Sequence, residues 1–528
     1  MKKKILMIVL SAAMVFTMGF GLTACGGGSD AGEKDTLNIV DGEWYGIDTL
    51  QLDSSAGCQQ LVGESLFERD PETGNLSDGV CTNWKVSDDL KSITFDVPEG
   101  MYYSTGEQVE PEDVVASLQH GLDVSPYKDA YENITDMSVD GRTVTMQISS
   151  YACDMEYNFT SDFICIIDKD ELDSMSDDEL LWGSHPYGMY YLADPADYVS
   201  GSEIKLTRND KFVTHDKNVE NTGMAPFQFL DLTFNVEEYT AIESLKAGDV
   251  DMIGSISADS RSQLEGDATI VVEEGTYPET NYAEVNTNYG IFQDKNLRLA
   301  FSKLIDRDAL IELTDGSAYA VYTPISDLMQ DFSQEAKDDY IANYANDVEG
   351  GLKLLEEAGW TEKNAEGYLT KDGKVLEIGY YTSDANVSKI IGEGLQAQMK
   401  QYGIKVNFEA IDWNYVHEKV EGDKYDIGRE CLSWAEPILI FNCMYYDPTA
   451  PSATDEYYDK VKEIQGTPEP EKRVELITAL EKEIAENVDL IPMWGEKGFF
   501  AHNAQLQGFK VDSQGGYPFQ DLKWVPAE

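Results

Sequence analysis

Five histidines, six cysteines beyond residue 25 and 98 carboxylic acids are the groups that could make or break bonds in this chain. Their spacing supports no such chemistry. His120, His185, His215, His417 and His502 are scattered, with no pair at metal-ligand spacing and no Cys-x-x-Cys beside them. There is no Gly-x-Ser-x-Gly elbow and no phosphate-binding loop; the glycines at 26–28 follow no strand and read as a linker. Acids are so numerous that any two could be paired as a glycosidase acid and base, so such a pair identifies nothing. A secreted hydrolase is the distant alternative, and neither a cofactor nor a metal is expected.

Aromatic residues offer a different chemistry, that of holding a solute. Trp44 and Tyr45 follow a strand at 37–40. Tyr282 and Tyr289 flank Asn286. Trp413 and Tyr415 follow a strand at 404–411, and Trp434 follows one at 425–427. Taken alone, each reads more readily as core or loop packing. Together they fall just after strand ends, the edge at which open α/β sheets bind ligands. Aromatic walls on two sheets suit a small flexible ligand.

The elements that must position them are legible from periodicity. Ile93, Phe95 and Val97 alternate as a half-buried strand ended by Pro98. Pro111 opens a helix carrying Val114, Val115 and Leu118, with Gly121 expected to close it. Asp140-Gly141 and Asp372-Gly373 are hairpin turns. Between 375 and 411 a strand, a helix carrying Val387, Ile391, Leu395 and Met399, a capping Gly403 and a second strand form a βαβ unit with parallel pairing. A helix around 239–247 ends at Gly248 before a strand at 250–253. A long helix from Val474 to Val488 precedes an extended 490–494 segment.

At the other end of the chain, Lys2, Lys3 and Lys4 precede an apolar run from Ile5 to Phe20, which has the form of a secretory signal peptide. The run is short for a membrane span, which needs ~20 residues. Leu22-Thr23-Ala24-Cys25 resembles the bacterial lipobox, in which the cysteine sulfur is acylated and becomes the first residue; the alternative is an uncleaved anchor. The Gly-Gly-Gly-Ser that follows is a flexible tether. The expectation is a protein held at the cell membrane by its lipid, on the extracytoplasmic face. About 500 residues remain after cleavage, enough for two or three domains. The net charge of −59 becomes more negative once the three lysines leave, which excludes nucleic acid as a partner and leaves the membrane to the anchor alone. Cys58, Cys81, Cys153, Cys165, Cys431 and Cys443 read equally as disulfides or as buried thiols.

A resemblance runs through residues 36 to 525. Trp84 to Asp89, Gly100, Gly106, Glu112-Asp113-Val114, Ile204 to Asn209, Leu245 to Asp251, Asn286, Leu304 to Arg307, Ala358-Gly359-Trp360, Tyr402 to Val406, Tyr425-Asp426 and Ile491-Pro492 look like the solute-binding protein family 5 group. That group comprises the oligopeptide, dipeptide and nickel binders of ABC importers. The opening Asp70-Pro71-Glu72-Thr73-Gly74 is similar too. The resemblance implies an α/β, type II periplasmic-binding-protein-like fold, with two lobes joined by a hinge and a small inserted domain. Behind the signal peptide (1–24) and tether (25–35), lobe I takes 36–64 with 186–289 and 491–528, the insert 65–185, and lobe II 290–490.

It also implies a monomer that captures a small peptide or other solute and delivers it unchanged to permease and ATPase subunits. An oligosaccharide or metal complex as ligand, or a receptor for a signalling peptide, are the alternatives. Family peptide binders hold the peptide amino terminus with an aspartate in a Trp-x-x-Asp segment. This chain reads Ser433-Trp434-Ala435-Glu436-Pro437 there, so Glu436 stands in for that aspartate or is a loop carboxylate. Arg429 pairs with a ligand carboxylate or with a neighbouring acid. With Trp44, Tyr45, Tyr282, Asn286, Trp413 and Trp434, these make the expected ligand-binding set.

Overall fold

The computed structural model describes residues 34–526 apart from 53–57, 71–75, 162, 265, 421–423, 446–449 and 512–518. The signal peptide, the Cys25 anchor, the tether up to residue 33 and the 71–74 part of the Asp70 motif lie outside the described residues.

A mixed sheet of 13 strands organises the chain. From one edge it runs Lys405–Ile411, Glu377–Ser383, Ile427–Ser433, Glu279–Val285 and Leu490–Asn503. It continues through Met252–Ile256, Thr36–Val40, Phe229–Thr233, Glu203–Arg208 and Tyr190–Tyr191. Glu377–Ser383 and Lys405–Ile411 are parallel and joined by the helix Asn386–Gln401. This is the βαβ unit that periodicity predicts. Gly403 sits at φ +86° just past that helix, a conformation that costs glycine nothing. The Asp372-Gly373 turn joins Leu369–Lys371 to Lys374–Val375, with φ of 50° and 73°, the geometry of a type I′ hairpin. A separate four-stranded antiparallel sheet holds Thr82–Val86, Ser92–Asp96, Thr143–Ile148 and Ile134–Asp140.

Two large cores flank the middle of the long sheet. One gathers Leu37, Ile39, Phe67, Phe95, Ile204, Leu230 and Ile477. The other gathers Ala283, Phe301, Leu304, Ile378, Leu395, Ile491 and Trp494. The chain passes from one half of the long sheet to the other at residues 276–279, where Ile270–Thr276 leads into Glu279–Val285. It crosses again inside Leu490–Asn503, whose first residues pair with Glu279–Val285 and whose last pair with Ile270–Thr276 and Met252–Ile256.

Three local expectations are corrected. The helix opened by Pro111 does not stop at Gly121 but runs to Val124. Gly121 is buried against Leu50, where a Cβ would lie 3.0 Å from a Leu50 methyl, so its role is packing. The strand expected at 250–253 is Met252–Ile256, because Asp251 is spent on the preceding join: its carboxylate accepts the Asn38 amide at 2.8 Å and pairs with Lys34. The 425–427 strand is Ile427–Ser433, so it runs up to Trp434 itself.

Candidate ligand-binding site

At the crossing between the sheet halves a buried cation and several acids come together. Residues two apart on a strand share a face. Glu279, Asn281 and Ala283 therefore face one way, and Ala283 lies opposite Arg429 as Asn281 lies opposite Cys431. Asn281 also lies opposite Trp494. Arg429 is 7% exposed. Its guanidinium stands 4.6 Å from the Trp413 ring centre and 5.7 Å from that of Trp494, so the indoles hold it by cation–π attraction. One Nη donates to the Asn281 side-chain oxygen, while Nε has no hydrogen-bond partner.

Carboxylates gather around this cation. Glu279 accepts from the Asn281 amide. Burial first, then the charge of Glu496, pushes the Glu279 carboxyl up to about 7, with Arg429 pulling against them. Burial also raises Glu496, and Arg429 again opposes. The Cys431 thiol faces Glu279 and is pushed up by burial and by that acid. Asp41, just after the Thr36–Val40 strand, accepts the Gly42 amide at 2.8 Å; its Oδ2 has no partner, and burial raises its carboxyl while hydrogen bonds from Cys58 and Gly42 pull it down. Tyr277 lies between, its phenol raised by burial and by both Asp41 and Glu279. Asp41, Tyr277, Glu279 and Glu496 are all half-buried residues.

Glycines let the strands approach. A Cβ at residue 495 would strike the Tyr319 ring, and one at 498 the Tyr277 phenol. The Tyr319 hydroxyl donates to the Tyr277 carbonyl at 2.5 Å.

Of the residues singled out from sequence, the fold brings Trp413 and Arg429 together here. Trp434 adjoins them through its backbone, its N–H donating to the Pro278 carbonyl at 3.0 Å, while its ring stacks towards Tyr157 and Tyr127 at 5.5 and 6.4 Å. The others lie elsewhere. Trp44 is fully buried in the larger core, and Tyr45 is 55% exposed. Tyr282 does not follow a strand end but sits within Glu279–Val285, on the opposite face from Asn281, and its hydroxyl donates to the Met444 carbonyl at 2.8 Å. Asn286 is buried and holds its own turn by accepting the Asn288 amide at 2.9 Å.

Glu436 is not a solvated loop acid. It is 2% exposed and caps the helix Pro437–Cys443, accepting the Ile438 and Leu439 amides at 2.6 and 3.0 Å. Burial and the nearby Asp154 raise its carboxyl; the two amides and Arg69 pull it down.

Sequence reasoning passed over Asp41, Glu279, Asn281, Trp494 and Glu496. The one usable signal was Trp494 at the end of the extended segment after Ile491-Pro492; the three acids are lost among 98. The six cysteines beyond residue 25 are free thiols. Among the described residues, no group of three or more His, Cys, Asp or Glu is arranged to hold a metal ion. No helix of the described residues is long and apolar enough to cross a membrane.

Comparison with known proteins gives the same outline from outside. The profile described as "Bacterial extracellular solute-binding proteins, family 5 Middle" matches residues 75–435. The oligopeptide-binding protein OppA of Bacillus subtilis is 22% identical over 567 aligned residues, covering 97% of this chain and 98% of that one. The solved structure of the B. subtilis oligopeptide-binding protein AppA, in complex with a nonapeptide, superposes with a TM-score of 0.65 at 18% identity, covering 93% of this chain and 99% of that one. That of NikA from Brucella suis, in complex with Fe(III)-EDTA, gives 0.77 at 19% identity, covering 93% and 100%. The fold is thus the type II periplasmic-binding-protein-like one.

Proposed function

This chain belongs to the bacterial extracellular solute-binding proteins of family 5, which bind and release rather than transform, and we propose that it captures short peptides outside the cell and passes them intact to the permease and ATPase subunits of an ABC importer. The observation that carries this reading is Arg429, clamped between Trp413 and Trp494 with an open Nε and facing half-buried carboxylates. A peptide has an ammonium group for the acids and a carboxylate for the guanidinium. An oligosaccharide has neither charge. An anionic metal chelate, the kind of ligand present in the B. suis structure, would meet one cation and several repelling acids. The names of the B. subtilis relatives point to peptides as well.

In this reading Cys25 carries the lipid that holds the protein at the outer face of the membrane, and the protein acts as a monomer. The chain from 36–64, 186–289 and 491–528 forms one lobe and 290–490 the other, with 65–185 inserted. The lobes close over the solute by bending at the two crossings.

The test is thermal unfolding of the purified protein with a broad peptide mixture, an oligosaccharide set and a nickel–histidine complex. Stabilisation by peptides alone is expected. An unmoved melting temperature with peptides, alongside a rise with sugar or nickel complex, rejects the reading. Cys25→Ala should leave the precursor uncut or free the protein into the medium, as read by cell fractionation.

A further inference from the structure

Charge at the crossing is lopsided. Glu279 and Glu496 lie against Arg429, and a third carboxylate, Asp41, stands on the far side of Tyr277. Asp41 Oδ2 and Arg429 Nε are both out of water without a partner, the latter on a side chain 7% exposed. Buried polar atoms in folded proteins are nearly always satisfied, and an open donor on a cation that faces half-buried acids is one whose partner a ligand can supply. A carboxylate in a half-dry site is costly even where N–H groups donate to it, as they do to Asp41 and Glu279, and a cation lowers that cost.

Resting on the reading that the solute is a peptide, we propose that it is a basic one. Ammonium groups on a lysine-like side chain and at the amino terminus lie against Glu279, Glu496 and Asp41, and the peptide carboxylate takes the open Nε of Arg429. The titration of the site agrees. Glu279 faces Glu496, Arg429, Cys431, Tyr277 and Tyr319, and burial with the Glu496 charge lifts it to about 7. Glu279 is therefore partly protonated near neutrality. An arriving ammonium group favours the ionised form and displaces that proton.

Isothermal titration of the wild-type protein with peptides of two to five residues tests this, using lysine–alanine, alanine-only and glutamate–alanine sets. The basic set is expected to bind at least about tenfold tighter than the alanine set, the size of one charge-assisted hydrogen bond. Its affinity should rise from about pH 6 to about 8 and fall with added salt. Alanine peptides binding as tightly as basic ones, or acidic peptides binding tightest, overturn the charge assignment while the peptide reading stands. Silence from all three sets, with binding of an oligosaccharide or nickel–histidine, sinks the peptide reading itself. Glu496→Gln should narrow the basic-to-alanine ratio by roughly threefold or more. An unchanged ratio in a variant that melts cooperatively overturns the assignment; should that variant not fold, the wild-type ratio decides.

Discussion

Two clusters of buried charge in this protein are built in opposite ways. Around Arg473 everything is closed: its Nε donates to Asp331 at 2.7 Å, its Nη1 to the Thr467 and Pro468 carbonyls at 3.2 and 3.1 Å, and the paired side chains are 2% and 8% exposed. Nearby Arg69 donates to Thr160 and Gln330 at 3.0 Å each and lies 4.0 Å over the Tyr157 ring. Around Arg429 the acids are half-buried, Nε is open, and aromatic faces stand where carboxylates would otherwise sit. A guanidinium whose donors are all spent holds the fold together. Arg429, held by rings with a donor left open, fits the proposed role of taking a ligand carboxylate.

That contrast can be broken by exchanging the consequences. The largest effect is expected at the closed cluster. Asp331→Asn leaves Arg473 buried without its counter-charge, a loss of about 3 kcal/mol or more of unfolding free energy, read by denaturant titration. Asparagine is chosen because residue 331 has φ 55°, which it tolerates better than alanine. Next, Arg429→Ala should weaken peptide binding by about 2 kcal/mol, roughly thirtyfold, measured by calorimetry, with a smaller loss of stability than Asp331→Asn. If Arg429→Ala costs more stability than Asp331→Asn, the two clusters are not distinct in kind.

Glu436→Ala removes a helix cap and should cost about 1 kcal/mol in the same denaturant assay, without changing the preference among peptides. A larger effect on binding than on stability would return Glu436 to the ligand site.

A further expected effect is a dependence on pH. Glu481 is 2% exposed, has one carboxylate oxygen without a partner, and is pushed up to about 8 by burial. Its folded-state pKa lies above its unfolded value, so its contribution is fully present below about 4.5 and is lost as pH rises through about 8. Glu279, raised to about 7, acts in the same direction. Glu481→Gln should therefore raise the melting temperature at pH 8.5 and leave it nearly unchanged at pH 5. A gain that is equal at both values would assign the effect to packing instead.

Local rules of sequence carried the fold far. The 386–401 helix, the left-handed Gly403 and the Asp372-Gly373 turn depend on residues within one element of each other, so their signal is in the string itself. Gly121 misled because a glycine near a helix end serves equally as a cap or as a notch for a neighbour, and only the neighbour, Leu50, decides. Tyr282 misled because its strand begins at Glu279, just after Pro278, so it is embedded where a strand end was expected. The site itself was least legible. Glu279 and Glu496 are 217 positions apart and meet through strand register, which no local pattern encodes. Trp413 was found because an indole after a strand end is rare enough to notice, and Arg429 because the family resemblance drew attention to its segment; three acids in so acidic a chain stand out in neither way.

The strand Leu490–Asn503 passes through both halves of the long sheet as 14 consecutive residues, with Glu496 at its midpoint. Whatever grips Glu496 pulls on a single covalent rod, riveted on one side to Glu279–Val285 and on the other to Ile270–Thr276. Load reaches either half along the peptide backbone, with no gear train of side chains in between. In the proposed reading, a ligand held at Glu496 acts on one strand that both halves of the sheet share.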